Sequence, residues 1–262
     1  MRILITGATG FVGSYLSRIL CQRHDVVGTG HLNEQPSAVP IIHWQDAGQA
    51  DVLIHLAANN DTQSRDYDAM MRANYYWPIE MFDYYYGKGC RKFIWASSGA
   101  VHDCLTPYAQ SKKNFEGWTL SWTRDKDVSC IGFRFTNVWS LIGEEHKGKR
   151  ASMVHQINNM IKNGQPPILF KGNPKRDFIH IDDVCECIKS AISVQTSGVF
   201  NLGSGVSVPF ENIINYCNRL YNSNIIPDYI DCPFKDTYQF HTCADIARTK
   251  DIFNWSPTIF IA

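Results

Sequence analysis

The chain has 262 residues, enough to bury a sizeable core as one large domain or two lobes. Hydrophobic residues make up 44%, and 25 Lys and Arg balance 25 Asp and Glu. A net charge near zero leaves no electrostatic footprint for DNA, RNA or an anionic membrane, so neither a nucleic-acid nor a membrane partner is expected.

Met1 runs directly into an apolar strand with no charged leader segment, and no apolar run is long enough to span a bilayer. Nine cysteines are scattered without a C-x-x-C pair, and Cys185 and Cys187 lack partners at zinc-ligand spacing. These features lead us to expect a cytoplasmic protein with free thiols and no metal site.

Arg2 to Thr6 reads as a strand, the segment from Gly7 through Gly10 to Gly13 as a turn, and Tyr15 to Arg23 as an amphipathic helix. Glycines let a backbone approach a pyrophosphate, and a helix N-terminus offers N–H groups and a positive dipole end. The spacing G-x-x-G-x-x-G is not the usual G-x-G-x-x-G, yet its place directly after the first strand favours a dinucleotide. His24 to His31 reads as the second strand, whose end should meet the adenosine ribose. An acid there suits NAD and a base suits NADP. The chain offers Gly30 and His31, and the missing acid leans the reading toward NADP over NAD.

Ile41 to Trp44 looks like a short third strand, followed by Asp46 and then a buried strand from Asp51 to Ala58. Small residues at the end of that buried strand, Ala57 and Ala58, allow a cofactor to come close. Ser64 to Gly89 reads as one long helix with Asn74 and many aromatics, which suit a core or a subunit interface better than base stacking. Arg91 to Ser98 is the next strand. Its C-terminal end delivers Ser97 and Ser98, where open α/β sheets bind ligands. Further on come a helix to about Arg124, a strand Ser129 to Phe135 and a cation-rich loop 143–150. A helix 152–163 and an extended stretch 166–170 follow, and Asp182 or Asp183 is expected to cap a helix to Ser193. Val199 to Gly205 closes this region as a strand and turn.

Tyr108 and Lys112 stand four apart, so on a helix they share a face. The ammonium is expected to draw the phenol below its ordinary value of about 10. With the Ser98 hydroxyl beside them, they could move a proton on and off a sugar hydroxyl.

The order of motifs resembles the extended short-chain dehydrogenase/reductase family, nucleotide-sugar branch. The motifs are Thr6 to Gly13, His55-Leu56-Ala57-Ala58, Ala96-Ser97-Ser98, Tyr108-x-x-x-Lys112, Phe133 to Val138, Arg176 to Val184 and Phe200 to Gly203. The second half is most similar to the ADP-glyceromannoheptose 6-epimerases, through Glu145-His146-Lys147-Gly148, Ala151-Ser152, Asn163-Gly164, Leu169-Phe170-x-Gly172, Lys175 to Phe178 and Tyr238-Gln239-Phe240. The loop Gly99–Pro107 is shorter than in that family, and the loop before Lys147 has one extra residue. Relatives usually continue past Ala262 into a final helix.

The resemblance implies an α/β fold: a Rossmann-type doubly wound parallel sheet with a smaller C-terminal substrate-binding lobe. The dinucleotide domain would span 1–137 with 177–203 returning to it, and the lobe 138–176 with 204–262. The catalytic residues implied are Ser98, Tyr108, Lys112 and Lys147, with Tyr108 and Lys147 as two acid/base groups around one sugar carbon. Contacts to the dinucleotide would come from Gly7, Thr9, Gly10, Phe11, Val12, Gly13, Gly30, His31, Asp46, Leu56, Ala57, Ala58, Asn74, Tyr108, Lys112 and Val138. Substrate would meet Ser98, Asn137, Lys147, Phe170, Arg176 and Tyr238, with Arg176 clamping a diphosphate bidentately.

The activity implied is epimerisation of an ADP- or other NDP-heptose or hexose, by transient oxidation and re-reduction on NAD or NADP. A 4-epimerase, a dehydratase or a keto-sugar reductase would use the same site, and a non-catalytic cofactor-binding member is the remaining alternative. A dehydratase needs an acid pair after the serine, and Ser98-Gly99-Ala100 offers none. The partner expected is a nucleotide sugar, and the aromatic helix makes a homodimer or higher oligomer the expected assembly.

Overall fold

A computed structural model describes residues 1–30, 37–103, 106–233 and 238–261. The chain divides into two compact units. The first comprises Met1–Phe135, Cys185–Asn201 and Arg248–Trp255, and the second Thr136–Val184, Leu202–Ala247 and Ser256–Ala262.

The first unit is built on strands Arg2–Thr6 (β1), Asp25–Thr29 (β2), Val52–His55 (β3), Lys92–Ser98 (β4) and Ser129–Phe135 (β5). Its helices include Phe11–Leu20 (α1), Tyr67–Met71 (α2), Trp77–Gly87 (α3) and Pro107–Trp122 (α4). In the second unit run Asn137–Trp139 (β6), helix Met153–Lys162 (α5), Ile168–Phe170 (β7) and Lys175–His180 (β8). Helix Ile181–Ala191 (α6) leads to Gly198–Leu202 (β9), which belongs to the first unit's sheet. Ser207–Pro209 (β10), Phe210–Tyr221 (α7), Asp228–Ile230 (β11) and Ala247–Phe253 (α8) complete the order.

The first sheet is a parallel, Rossmann-type one, in the order β2-β1-β3-β4-β5-β9. Thr6 lies level with Thr29 and His55, and Ser98 with Phe135, so the C-terminal ends share one edge. After β1 the chain goes out to β2 and returns on the other side as β3. The crevice outside that switch point is where such sheets bind ligands. β1 and β3 are almost wholly apolar because both faces of the sheet are covered. Phe82, Phe93, Trp95 and Phe115 are fully buried, and their rings meet edge-on or tilted at 4.8–5.3 Å. Burying each such ring is worth about 2–3 kcal/mol.

The second unit has a sheet in the order β10-β8-β6 and a parallel pair β11-β7. Its core gathers Trp139, Val154, Ile157, Phe178, Phe210 and Ile213.

Several elements differ from the sequence expectation. Ile41 makes only a single bridge to Gly28, and Trp44–Asp46 is a 3₁₀ turn. The hydroxyls of Tyr84 and Tyr85 donate to the carbonyls of Gln45 and Trp44 and so tie this turn to α3. The helix expected over Ser64–Gly89 is broken by a π turn at Arg72–Tyr76. Pro78 has no N–H for the carbonyl four residues back, and Trp77 N–H bonds to Arg72 one register further. Asp183 does not cap α6. Its carboxylate accepts the amides of Thr258 and Ile259 and the Thr258 hydroxyl, all within the second unit. The division into units also differs from the expected boundaries. β8 is the central strand of the second unit's own sheet, and Phe253 of α8 packs on Phe133 and Phe200 of the first unit.

Candidate active site

The turn after β1 is as tight as backbone allows. Gly7 has φ +70°, and a Cβ there would stand 2.8 Å from the Ala57 amide nitrogen at the end of β3. A Cβ on Gly13 would stand 2.0 Å from the Gly7 carbonyl oxygen. Only glycine lets α1 begin this close to the turn, and Gly10 caps it with no side chain in the way. Such a cradle fits a dinucleotide pyrophosphate. Thr9, Phe11 and Val12 belong to the same segment. Gly30 closes on Thr9, where a Cβ would lie 2.5 Å from Oγ1. His31 lies outside the described residues, and Asp46 is exposed in its 3₁₀ turn. Gly13→Ala is therefore expected to lower dinucleotide affinity at least about tenfold, readable by titration calorimetry.

His55 fixes the end of β3. Thr6 Oγ1 accepts the Ala57 amide at 3.2 Å and lies 2.7 Å from His55 Nδ1. Thr6 Oγ1 and Nδ1 thus share one hydrogen bond, and the buried imidazole is neutral. Burial first, then the charge of Lys112, holds its pKa at about 3. Leu56 N–H donates to the Thr6 carbonyl, and Ala57 is half-buried while Ala58 is exposed.

Ser98 ends β4, and Tyr108 sits in the first turn of α4. Thr106 caps that helix by accepting the Ala109 amide, and Pro107 occupies its first position. The Ser98 hydroxyl is hydrogen-bonded to the Tyr108 phenol and also accepts the Ala100 amide. Lys112, one turn on, is buried and donates to the Ala96 carbonyl at 2.9 Å. The structure thus brings Ser98, Tyr108 and Lys112 together. It corrects one expectation: the phenol lies above its ordinary value, because burial outweighs the Ser98 hydrogen bond that lowers it. Burial likewise draws Lys112 down to about 8, against the opposing charge of Glu116.

Asn74 is buried on the π turn. Its Oδ1 accepts the Asn59 amide at 2.8 Å, and its Nδ2 donates to the Asn59 carbonyl and to Ser111 Oγ. Ser111 Oγ in turn donates to the Tyr108 carbonyl at 2.7 Å. Asn74 therefore ties the loop after β3 to the start of α4.

In the second unit, Arg176 on β8 places its guanidinium 4.9 Å from the centre of the Tyr238 ring and 6.0 Å from that of Phe210. Tyr238 meets Phe170 and Phe240 edge-on, each at 5.1 Å. A cation framed by aromatic rings suits a phosphate next to a planar base. Asn137 Nδ2 donates to the Asp177 carbonyl, and Val138 pairs with Ile179. Lys147 forms an ion pair with Glu144 at 2.6 Å. Glu144 is fully buried and also accepts the Ser140 and Ser152 amides and the Ser152 hydroxyl.

Glu116, Arg134, Glu144 and Asp177 were not singled out from sequence. Glu116 could have been, since it stands one further helical turn beyond Lys112. Among the described residues no cluster of His, Cys, Asp or Glu could hold a metal ion, and no helix is long and apolar enough to cross a membrane.

Residues 3–203 match the model of the NAD dependent epimerase/dehydratase family. Among solved structures, the chain is similar to the ADP-L-glycero-D-manno-heptose-6-epimerase of Helicobacter pylori. The identity is 26% and the TM-score 0.87, over 99% of this chain and 92% of that one. It also shares its fold with the UDP-glucose 4-epimerase of Thermotoga maritima, solved with UDP-glucose, at 19% identity and TM-score 0.87, over 100% and 95%. The UDP-glucuronic acid 4-epimerase of Bacillus cereus, solved with NAD, matches at 20% identity and TM-score 0.83, over 100% and 95%.

Proposed function

The chain belongs to the NAD-dependent epimerase/dehydratase family, and from that premise we propose that it inverts one carbinol centre of a nucleotide sugar, acting as a 6-epimerase on an ADP- or other NDP-heptose or hexose. The observation that carries this reading is the Ser98 hydroxyl on the Tyr108 phenol, with Lys112 one helical turn away. A dinucleotide, when bound, supplies the hydride acceptor and donor. Tyr108 takes the proton of the substrate hydroxyl, Ser98 donates to the oxygen as it becomes a carbonyl, and Lys112 stabilises the phenolate by its charge. Tyr108 later returns the proton to one epimer, and Lys147 is assigned the matching role for the other. Arg176, Tyr238 and Phe170 are assigned to the diphosphate and base, and Asn137 to the sugar. The likeness of the second-half motifs to the heptose epimerases supports that choice over a 4-epimerase.

Between the two dinucleotides the assignment is NADP, because β2 ends in Gly30-His31 and lacks an acid for a ribose 2′-hydroxyl. A cytoplasmic location accords with eight described cysteines that are all free thiols. A homodimer or higher oligomer accords with the exposed Tyr76 and Trp77, at 57% and 66%.

Native mass spectrometry of the purified protein is expected to show a retained dinucleotide. Incubation with an ADP-heptose should interconvert the two C6 epimers with no net change in nicotinamide absorbance. Stoichiometric oxidation of NADPH would make the protein a reductase instead. If neither happens, it is a dinucleotide-binding protein without this chemistry.

A further inference from the structure

Beneath Lys112 lies a buried ionic assembly that the reaction as described does not use. Glu116 follows Lys112 by one helical turn and is only 5% exposed. Arg134 on β5 grips it with two hydrogen bonds, Nε to Oε1 at 2.8 Å and Nη2 to Oε2 at 2.6 Å. Ser97 Oγ, also buried, donates to Oε1 at 2.6 Å. The β4–β5 register sets Ser97 level with Arg134, so two adjacent strands present their donors to one carboxylate on the covering helix.

Burying a charge pair is costly, and an apolar pair of the same volume would hold α4 to the sheet as well. A purely structural reading therefore leaves the carboxylate unexplained. Lys112 supplies the reason. It is buried one turn away, its ammonium has the neutral Ala96 carbonyl as a hydrogen-bond acceptor, and burial favours the uncharged amine. The groups around it come from every neighbouring element. β3 presents His55, which is neutral, and the π turn presents Asn74. On α4 itself stand Tyr108 and Glu116. Asp66, Asp68 and Arg72 of α2 and the π turn are exposed to solvent, as are His102 and Asp103 before α4. Among these described groups Glu116 is the buried carboxylate.

We propose that Glu116, oriented by Arg134 and Ser97, is a positioning residue that keeps Lys112 an ammonium in the buried floor of the catalytic site. The proposal deepens the acid/base reading of Tyr108 and Lys112 and rests on it for its consequence, although its test does not need turnover. A carboxylate nearby favours the ammonium, and the guanidinium behind it has the opposite effect. Removing each partner therefore moves Lys112 in opposite directions, which loss of structure cannot do.

The experiment is a pH titration of protein labelled with ¹³C-lysine, following the ε-carbon of Lys112, with Lys112→Arg used only to assign the signal. Glu116→Gln is expected to lower the Lys112 midpoint by about one unit or more, and Arg134→Gln to raise it. The double variant should fall between the two. Should Glu116→Gln fail to fold, an Arg134→Gln midpoint above those of both wild type and the double variant still decides. One midpoint shared by all, or a downward move in Arg134→Gln, overturns the proposal. If the titrations move as expected while no sugar nucleotide is turned over, the positioning role stands and the proposed reaction falls.

Discussion

Replacing Tyr108 by Phe is expected to lower turnover by about 10²–10⁴-fold while leaving the fold and dinucleotide binding in place. Phe keeps the ring that packs in the first turn of α4 and removes only the hydroxyl, with its hydrogen bond to Ser98. The cap from Thr106 and the contact from Ser111 Oγ reach the backbone of this turn, so they survive the change. The pH dependence follows from the two shifts. Tyr108 lies above its ordinary value and Lys112 at about 8, and the active form needs a phenolate beside an ammonium. That form has lost one of the pair's two protons. The pair sheds its first proton near 8 and its second above the ordinary tyrosine value, so kcat/KM should rise through the first and fall through the second. Residual activity in Tyr108→Phe should lose the bell, because Lys112 is then the one member of the pair left to titrate. A variant with the same profile as the parent, or with undiminished turnover, would remove Tyr108 from the reaction.

How far the sequence foretells this architecture depends on how local each feature is. The parallel sheet was readable because β1, β3 and β4 are continuous apolar runs, which only a sheet covered on both faces can bury. The glycine turn was readable because its constraint acts within a few residues. So was the Tyr108–Lys112 face, since helical spacing alone sets it. The π turn was missed although its cause, Pro78, stands in plain view, because a proline near the middle of a helical pattern can end, kink or re-register it. Asp183 has the composition of a cap, and only the tertiary course of residues 258–259 diverts it. The acidification expected at Tyr108 failed for a related reason. Spacing tells which charges can meet, but burial decides which ionic form survives, and burial is a property of the folded chain.

Asp177 shows the same lesson at the level of stability, and its replacement is expected to be the most damaging single change in the second unit. The side chain has no exposure at all. Its Oδ1 accepts the Ser204 amide at 2.7 Å, the Ser204 hydroxyl at 2.8 Å and the Thr136 hydroxyl at 3.2 Å. Its Oδ2 accepts the Gly205 and Ala244 amides at 3.1 and 3.0 Å. One carboxylate thus holds three backbone N–H groups from segments far apart in the chain, on β8 beside Arg176. Alanine strands all of them, the Ser204 groups in a buried place and those of Thr136, Gly205 and Ala244 in half-buried ones. Each orphaned buried group costs about 1–3 kcal/mol, so a loss of about 3 kcal/mol is expected. Asparagine should cost less, for a geometric reason. With its NH₂ in the Oδ2 place it faces two amide donors. Turned the other way it opposes only one, because the hydroxyls of Ser204 and Thr136 can rotate to accept. The order wild type, Asp177→Asn, Asp177→Ala should therefore appear in urea midpoints followed by a probe within the second unit. Equal midpoints for Asn and Ala would mean that the negative charge, rather than the count of acceptors, holds these segments together.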